Sequence, residues 1–244
     1  MTEALYALLT RLIDYAGLFP PAALNMNMAV RNYRSYVAGP HEWALGRFVV
    51  PAAKLDEVDP FFSCTVIGMP PRTVHSCEIK VERATDVPEA RAMIVYYELP
   101  VTEDPSPLAR GRGRAKVRTG GLTPDAVPSS VALARFMARC AAARVPFKAT
   151  AGLHHPLRSA EMHGFINVFL GAAHLWDGGS EADTVATLEQ RSPHAFAWDD
   201  ASVAWHGHRL TVDQLRTARE QFAISFGSCS FDEPVGDLQQ LGWL

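Results

Sequence analysis

Two lysines open the chemical reading of this chain. Each stands second in a short apolar-polar alternation that ends in glycine: Ala115-Lys116-Val117-Arg118-Thr119-Gly120 and Phe147-Lys148-Ala149-Thr150-Ala151-Gly152. Strand alternation puts Lys116, Arg118 and Gly120 on one face of the first run, and Lys148 and Thr150 on one face of the second. Between the runs, Val131, Phe136, Met137 and Cys140 recur at near-helical spacing in an Ala-rich stretch. Strand, helix, strand implies parallel neighbours joined by a right-handed crossover. Both lysines then project into one space, beside Arg118. Crowded cations and partial desolvation lower a lysine pKa, the usual way to obtain a nucleophilic amine near neutral pH. A lone strand-end lysine more often just reaches solvent, and the pairing is what favours chemistry here.

Further candidates surround this pair. His154 and His155 follow the Lys148 run directly, at the end of a parallel strand where barrel active sites form. Alternation lets one of them enter such a site as a general acid or base. Glu98, at the end of another β-like run, is a carboxylate for proton transfer or for pairing with a lysine. The run Phe226-Gly227-Ser228-Cys229-Ser230 ends in small residues with free amides before a helix from Glu233, a place that suits a phosphate or carboxylate and equally a plain turn. Cys229 reads as an inert small residue, because Asp232 and Glu233 raise its pKa. Asp14, Glu78, Glu98 and His163 are conceivable metal ligands, but no HxH or HExxH spacing among them supports a site. His206 and His208 form an HxH in a hairpin turn, where exposure is the commoner reason. No metal and no cofactor is therefore assigned.

At 244 residues the chain fits one domain with a single core, and an eight-stranded barrel lies within range. Hydrophobic residues make up 48% and charged residues 20%, an ordinary globular balance. A net charge of −3 argues against a general nucleic-acid binder. Four scattered cysteines without a CxxC pair, and no signal-peptide pattern, fit reduced thiols in the cytoplasm. No apolar run is long enough to span a membrane.

These residues need elements to hold them. Leu5, Leu8, Leu9, Leu12 and Ile13 give a helical stripe over residues 3–11, running into a short strand at Leu12–Tyr15. A helix over 23–37 ends at Gly39-Pro40. Four β-like runs follow, at Arg47–Val50, Ser63–Met69, Cys77–Val81 and Met93–Glu98. The gaps after the second and third are too short for ordinary crossover helices, so the first half of a barrel would be stripped of them. Asp104–Arg114, rich in Arg, Gly and Pro, reads as a mobile loop. Met162–Trp176 reads as a buried helix and 177–209 as irregular, apart from a hairpin across 198–210. A helix over 212–221 leads into the Phe222–Ser230 strand, and a last helix covers 233–241.

Taken in order, the runs resemble deoxyribose-phosphate aldolase, a class I aldolase family with a (β/α)8 barrel. Leu12-Ile13-Asp14-Tyr15 resembles its first strand, Phe48-Val49-Val50-Pro51 its second and Cys64-Thr65-Val66-Ile67-Gly68-Met69-Pro70 its third. Glu78-Ile79-Lys80 falls at the fourth and Ile94–Glu98 at the fifth. Lys116-Val117-Arg118-Thr119-Gly120 resembles the Schiff-base strand, Lys148-Ala149-Thr150-Ala151-Gly152 the strand of its partner lysine, and Phe226–Ser230 the phosphate-binding turn. The resemblance implies an imine at Lys116, with Lys148 as electrostatic partner. Gly152, Gly227 and Ser228 would lie near an anionic group. Two departures stand out: the proton-relay carboxylate of the fourth strand corresponds to Lys80, and Arg118 replaces a small hydroxyl residue.

The expectation is a single TIM-like α/β barrel over 1–244 with shortened or missing helices in its first half. Its activity would be that of a class I aldolase-like lyase on a small anionic carbonyl substrate. Lys116, Lys148, Glu98, His154 and His155 are the catalytic candidates. Arg118, Lys80, Thr150, Gly152, Gly227, Ser228 and Asp14 are the substrate-binding ones. Two alternatives remain: a metal-assisted or enolate-stabilising isomerase or hydrolase on the same barrel, and a barrel that binds a small molecule without turnover. Neither nucleic acid nor membrane is expected as partner, and a homodimer is compatible with such a barrel.

Overall fold

The computed structural model describes residues 1–244 except Arg112, Leu122, Pro124 and Asp125. Eight parallel strands close into a barrel: β1 (Ile13–Tyr15), β2 (Leu45–Pro51), β3 (Cys64–Ile67), β4 (Val74–Lys80), β5 (Ala92–Leu99), β6 (Arg114–Arg118), β7 (Phe147–Thr150) and β11 (Ala223–Ser228). Each neighbours the next in that sequence, and β11 closes on β1 with Asp14 opposite Gly227. This is the TIM-like α/β barrel expected.

Helix cover is uneven. α1 (Glu3–Leu9) precedes the barrel and α2 (Met26–Val37) links β1 to β2. From β2 to β6 the described residues of the connections carry only 3-10 turns, at Ala52–Glu57 and Ser106–Gly111. The stripped first half is thus observed. A chain of six residues extends about 20 Å at roughly 3.3 Å per residue. Residues 68–73 can therefore return beside β3, which is itself only Cys64–Ile67, without a helix. The segment expected as a loop through Arg114 instead contains the second 3-10 turn, and Arg114 already belongs to β6.

The second half is fully clothed. α3 (Ser130–Ala142) joins β6 to β7, and α4 (Phe165–Trp176), α5 (Glu181–Glu189) and α6 (Val212–Gln221) lie between β7 and β11. α7 (Asp232–Gln240) ends the fold. Side chains of Asn25, Ser129, Ser180 and Thr211 cap α2, α3, α5 and α6, supplying acceptors for otherwise orphan amides. Outside the barrel wall Phe147 stacks on Phe169, and Phe165 on Phe226, with centroids 6.4 and 5.3 Å apart. All four are fully buried, each contributing about 1.5–3 kcal/mol of transfer free energy.

The stretch 177–209, read as irregular, holds α5 and a small antiparallel sheet. In that sheet β8 (Ala197–Trp198) pairs with β9 (Ser202–Trp205), and β9 with β10 (His208–Thr211). Pattern reading missed α5 because Glu181–Glu189 is mostly polar, and it buries Thr184, Thr187 and Leu188 rather than an aliphatic stripe. The hairpin turn is His206-Gly207, both with positive φ (47° and 80°), as a two-residue turn with matching twist requires.

Candidate active site

The barrel interior is charged rather than aliphatic. Inward positions come from alternate residues: Asp14 on β1, Thr65 on β3, Ser76 and Glu78 on β4, Tyr96 and Glu98 on β5, Lys116 on β6, Lys148 on β7 and Ser225 on β11. All are buried. Lys116 lies directly opposite both Glu98 and Lys148 in the strand register.

The side chains form one alternating ladder. Lys116 Nζ stands 2.7 Å from Glu78 Oε2 and 2.7 Å from Glu98 Oε2. Lys148 Nζ donates to Glu78 Oε1 at 2.5 Å and to Asp14 Oδ2 at 2.6 Å. Asp14 also accepts from Ser225 Oγ at 2.8 Å and, through Oδ1, from the Arg47 amide at 2.7 Å. Gly46 leaves room for that carboxylate, since a Cβ there would stand 2.1 Å from Asp14 Oδ1. At the C-terminal rim, Arg118 Nη1 lies 3.5 Å from Glu98 Oε1, with half its side chain in solvent.

This corrects the picture of mutually repelling cations. The two lysines share an inward space, but Glu78 stands between their ammonium groups, and Asp14 and Glu98 flank them. Burial pushes the Glu78 carboxyl up, yet the ammonium groups of Lys148 and Lys116 outweigh it and hold its pKa down at about 2. Burial pulls Lys148 down, and Asp14 and Glu78 more than reverse it, so its pKa is raised. Lys148 therefore cannot perturb its neighbour as an uncompensated charge. The fourth strand does place a carboxylate inside the barrel: it is Glu78, two residues before the exposed Lys80.

The other candidates occupy the rim or lie beyond it. Thr150 follows Lys148 at the C-terminal end of β7, opposite Gly227. Gly120 and Gly152 cross closely just past β6 and β7, where a Cβ on Gly120 would meet the Gly152 Cα at 2.8 Å. The Thr119 hydroxyl, buried alongside, donates to the Ala151 carbonyl at 2.5 Å. Ser228 is buried, and its Oγ accepts from the Ser230 amide at 3.4 Å. Ser230 Oγ in turn accepts from the Glu233 amide, so that α7 amide is satisfied within the chain. His154 Nδ1 is 3.0 Å from Glu233 and His155 Nδ1 2.6 Å from Asp237, which ties both rings to α7 and leaves them outside the lysine ladder. His163 is buried between Arg158 and the Pro128 carbonyl, and burial lowers its pKa. Cys229 is raised mainly by burial, with Glu233 adding to it.

Comparison of the chain with protein-family models, with curated proteins and with solved structures found no match in any of the three. The chemistry of the site must be read from its own geometry.

A cavity of about 630 Å³ opens at the opposite, N-terminal end of the strands, lined among others by Arg47, Arg114, Tyr96, Asp14 and Ser225. Arg114 Nη1 donates to Tyr96 Oη at 3.1 Å, and that ring also faces Lys148, whose Nζ is 5.5 Å from its centroid. The ladder thus runs through the barrel from this cavity to Arg118 at the other mouth. Sequence reading found both lysines, Asp14 and Glu98 but named Glu78 only as a conceivable metal ligand. Its signal was available, because Ser76, Glu78 and Lys80 share strand parity. No helix of the described residues is long and apolar enough to cross a membrane.

Proposed function

We propose that the protein is a class I aldolase-like lyase that forms a Schiff base between Lys116 and a small anionic carbonyl compound. The observation carrying this reading is the position of Lys116 Nζ, 2.7 Å from both Glu78 and Glu98 inside a closed parallel barrel, two residues before Arg118 at the C-terminal end of β6. Active sites of such barrels form at that end.

The ammonium of Lys116 passes a proton to Glu98, and the free amine adds to the substrate carbonyl carbon. The carbinolamine takes up a proton at its oxygen and loses water, leaving a protonated imine. Glu98, ionised again once it has protonated the carbinolamine oxygen, takes the proton of the substrate's β-hydroxyl; the Cα–Cβ bond breaks, its electron pair passes into the imine to give an enamine, and the aldehyde leaves. Protonation of the enamine carbon and hydrolysis return the second product and the lysine. Lys148, itself held by Asp14, fixes the Glu78 carboxylate and keeps it ionised, so that Glu98 is the carboxylate that exchanges protons. Arg118, half exposed above Glu98, meets the anionic group of the substrate, with Thr150 and Lys80 at the same rim.

Borohydride trapping with a panel of small aldehydes, ketones and keto acids tests this reading by intact and peptide mass. A reduced adduct on Lys116, absent from Lys116→Met, is the expected result. An adduct on Lys148 alone exchanges the roles of the two lysines. Absence of any adduct overturns the imine. The tight pairing of Lys116 with two carboxylates favours one second reading, in which it stays an ammonium and stabilises an enolate in an isomerase. Solvent deuterium entering substrate carbon without trapping identifies that case.

A further inference from the structure

Away from the barrel axis, three side chains from separate elements converge on one point: His174 in the last turn of α4, Asp183 in the first turn of α5 and His208 at the start of β10. One ligand atom from each lies within 4.8 Å of the others. Asp183 Oδ2 is 3.7 Å from His174 Nε2, and Asp183 Oδ1 is 3.6 Å from His208 Nε2. The imidazole centroids are 4.4 Å apart. We infer that these residues form a binding site for a divalent cation of the zinc class, which fastens the β9–β10 hairpin to α4 and α5.

The spacing is the first argument. A carboxylate that simply bonded these rings would stand about 2.7–3.0 Å from their nitrogens. Separations of 3.6 and 3.7 Å are too long for that. They approach the ligand-to-ligand distance of a tetrahedral zinc site, about 3.3 Å for bonds of roughly 2.0–2.1 Å. The second argument is His174 Nε2, a fully buried nitrogen with no hydrogen-bond partner among the described residues. Such an orphan is costly unless something binds it. Gly179 leaves room for the ring, since a Cβ there would come within 2.2 Å of that same nitrogen.

The surroundings are those of a ligand set. Ser180 Oγ donates to Asp183 Oδ2 at 2.6 Å and orients the carboxylate. Trp205 packs edge-on against His174 at 5.9 Å and gives the site an apolar wall. Two imidazoles and one carboxylate suit Zn²⁺, Co²⁺ or Ni²⁺ better than Ca²⁺ or Mg²⁺, which prefer all-oxygen shells. His208 and Asp183 remain partly exposed, with 27% and 44% of their side chains in solvent, so an ion and its completing waters can enter.

Pattern reading found His208 only as half of an HxH with His206. His206 instead faces Gln190, with Nε2 2.9 Å from its amide, outside the trio. The true set spans α4, α5 and β10 and has no local spacing to recognise.

The test uses full-length protein stripped with chelator and titrated with Co²⁺, then with Zn²⁺ in competition. One equivalent per chain is expected, with the visible bands of a low-symmetry cobalt site and a melting temperature raised by about 5 °C. His208→Ala and Asp183→Asn, at partly exposed positions, should each weaken binding at least 10-fold with unchanged circular dichroism. His206→Ala should bind as the wild type does. Absence of cobalt binding at millimolar concentration overturns the site. So does equal binding by wild type and the Asp183→Asn/His208→Ala double variant, which would put the ion elsewhere.

Discussion

Lys116 and Lys148 lie opposite one another on β6 and β7, and Glu78 bridges their ammonium groups at 2.7 and 2.5 Å. Two cations that sequence alone sets against each other are thereby joined by one shared anion. The consequences can be measured.

Glu78→Ala removes the anion between two buried ammonium groups, leaving Lys116 with Glu98 alone and Lys148 with Asp14 alone. Breaking a buried pair by removing one partner costs about 3–5 kcal/mol. Urea denaturation should show a loss of that size, and Glu78→Ala combined with Lys148→Met should recover part of it. A loss under 1 kcal/mol would mean that the ladder contributes little to holding the barrel together.

Acid should weaken the fold through the same residue. The Glu78 pKa is about 2 in the folded chain against an ordinary 4.5. Its contribution is therefore complete above pH 4.5 and disappears as pH falls from there toward 2. That amounts to about 3 kcal/mol. For Lys148 the sign reverses, because its pKa is raised above the ordinary 10.5. Its contribution is complete below pH 10.5 and declines above it. Denaturation midpoints followed across pH should fall at both ends, and Glu78→Gln should flatten the acid limb.

Glu98→Gln keeps the shape of the side chain and removes its capacity to take a proton from Lys116. Trapping of carbonyl compounds at Lys116 should slow by about 10²–10⁴-fold, the usual range for one acid/base group. His154→Ala and His155→Ala should leave the trapping rate within about 3-fold of wild type, since both rings are held by α7. Slowing by either histidine variant equal to that of Glu98→Gln would return the proton transfer to the histidine.

Gly152→Ala introduces a methyl group at φ +76°, where the added carbon would stand 2.9 Å from the Gly120 Cα. Left-handed strain and backbone collision together should cost about 2 kcal/mol or more. Thermal unfolding measures it, and a neutral result would show that β6 and β7 can separate at their tips.

Much of the barrel was legible because strands and helices announce themselves locally. β2 to β5 showed as Val- and Ile-rich runs, and the short gaps between them foretold the missing helices. Lys116 and Lys148 were legible because parity alone aims them inward. The pairing of charges was not, because Asp14, Glu78, Glu98 and the two lysines come from five strands and meet only when the barrel closes. Strand parity also puts Ser76, Glu78 and Lys80 on one face without saying which is deep, and it is Glu78 that is buried and Lys80 that is exposed. α5 escaped for another reason: its buried face is built from threonines, including Thr187, whose hydroxyl receives the Trp205 indole N–H at 2.8 Å.

The ladder Arg118, Glu98, Lys116, Glu78, Lys148, Asp14 contains three cations and three anions and sums to zero charge. That balance has a meaning for descent. A single substitution that removes one of the buried members leaves the barrel interior with one uncompensated charge, and selection would discard it unless a neighbouring rung changes too. Positions 14, 78, 98, 116 and 148 are therefore bound to a common fate. Among relatives of this chain they should be kept or exchanged as a block, while the exposed Lys80, one step along the same face, is free to drift alone.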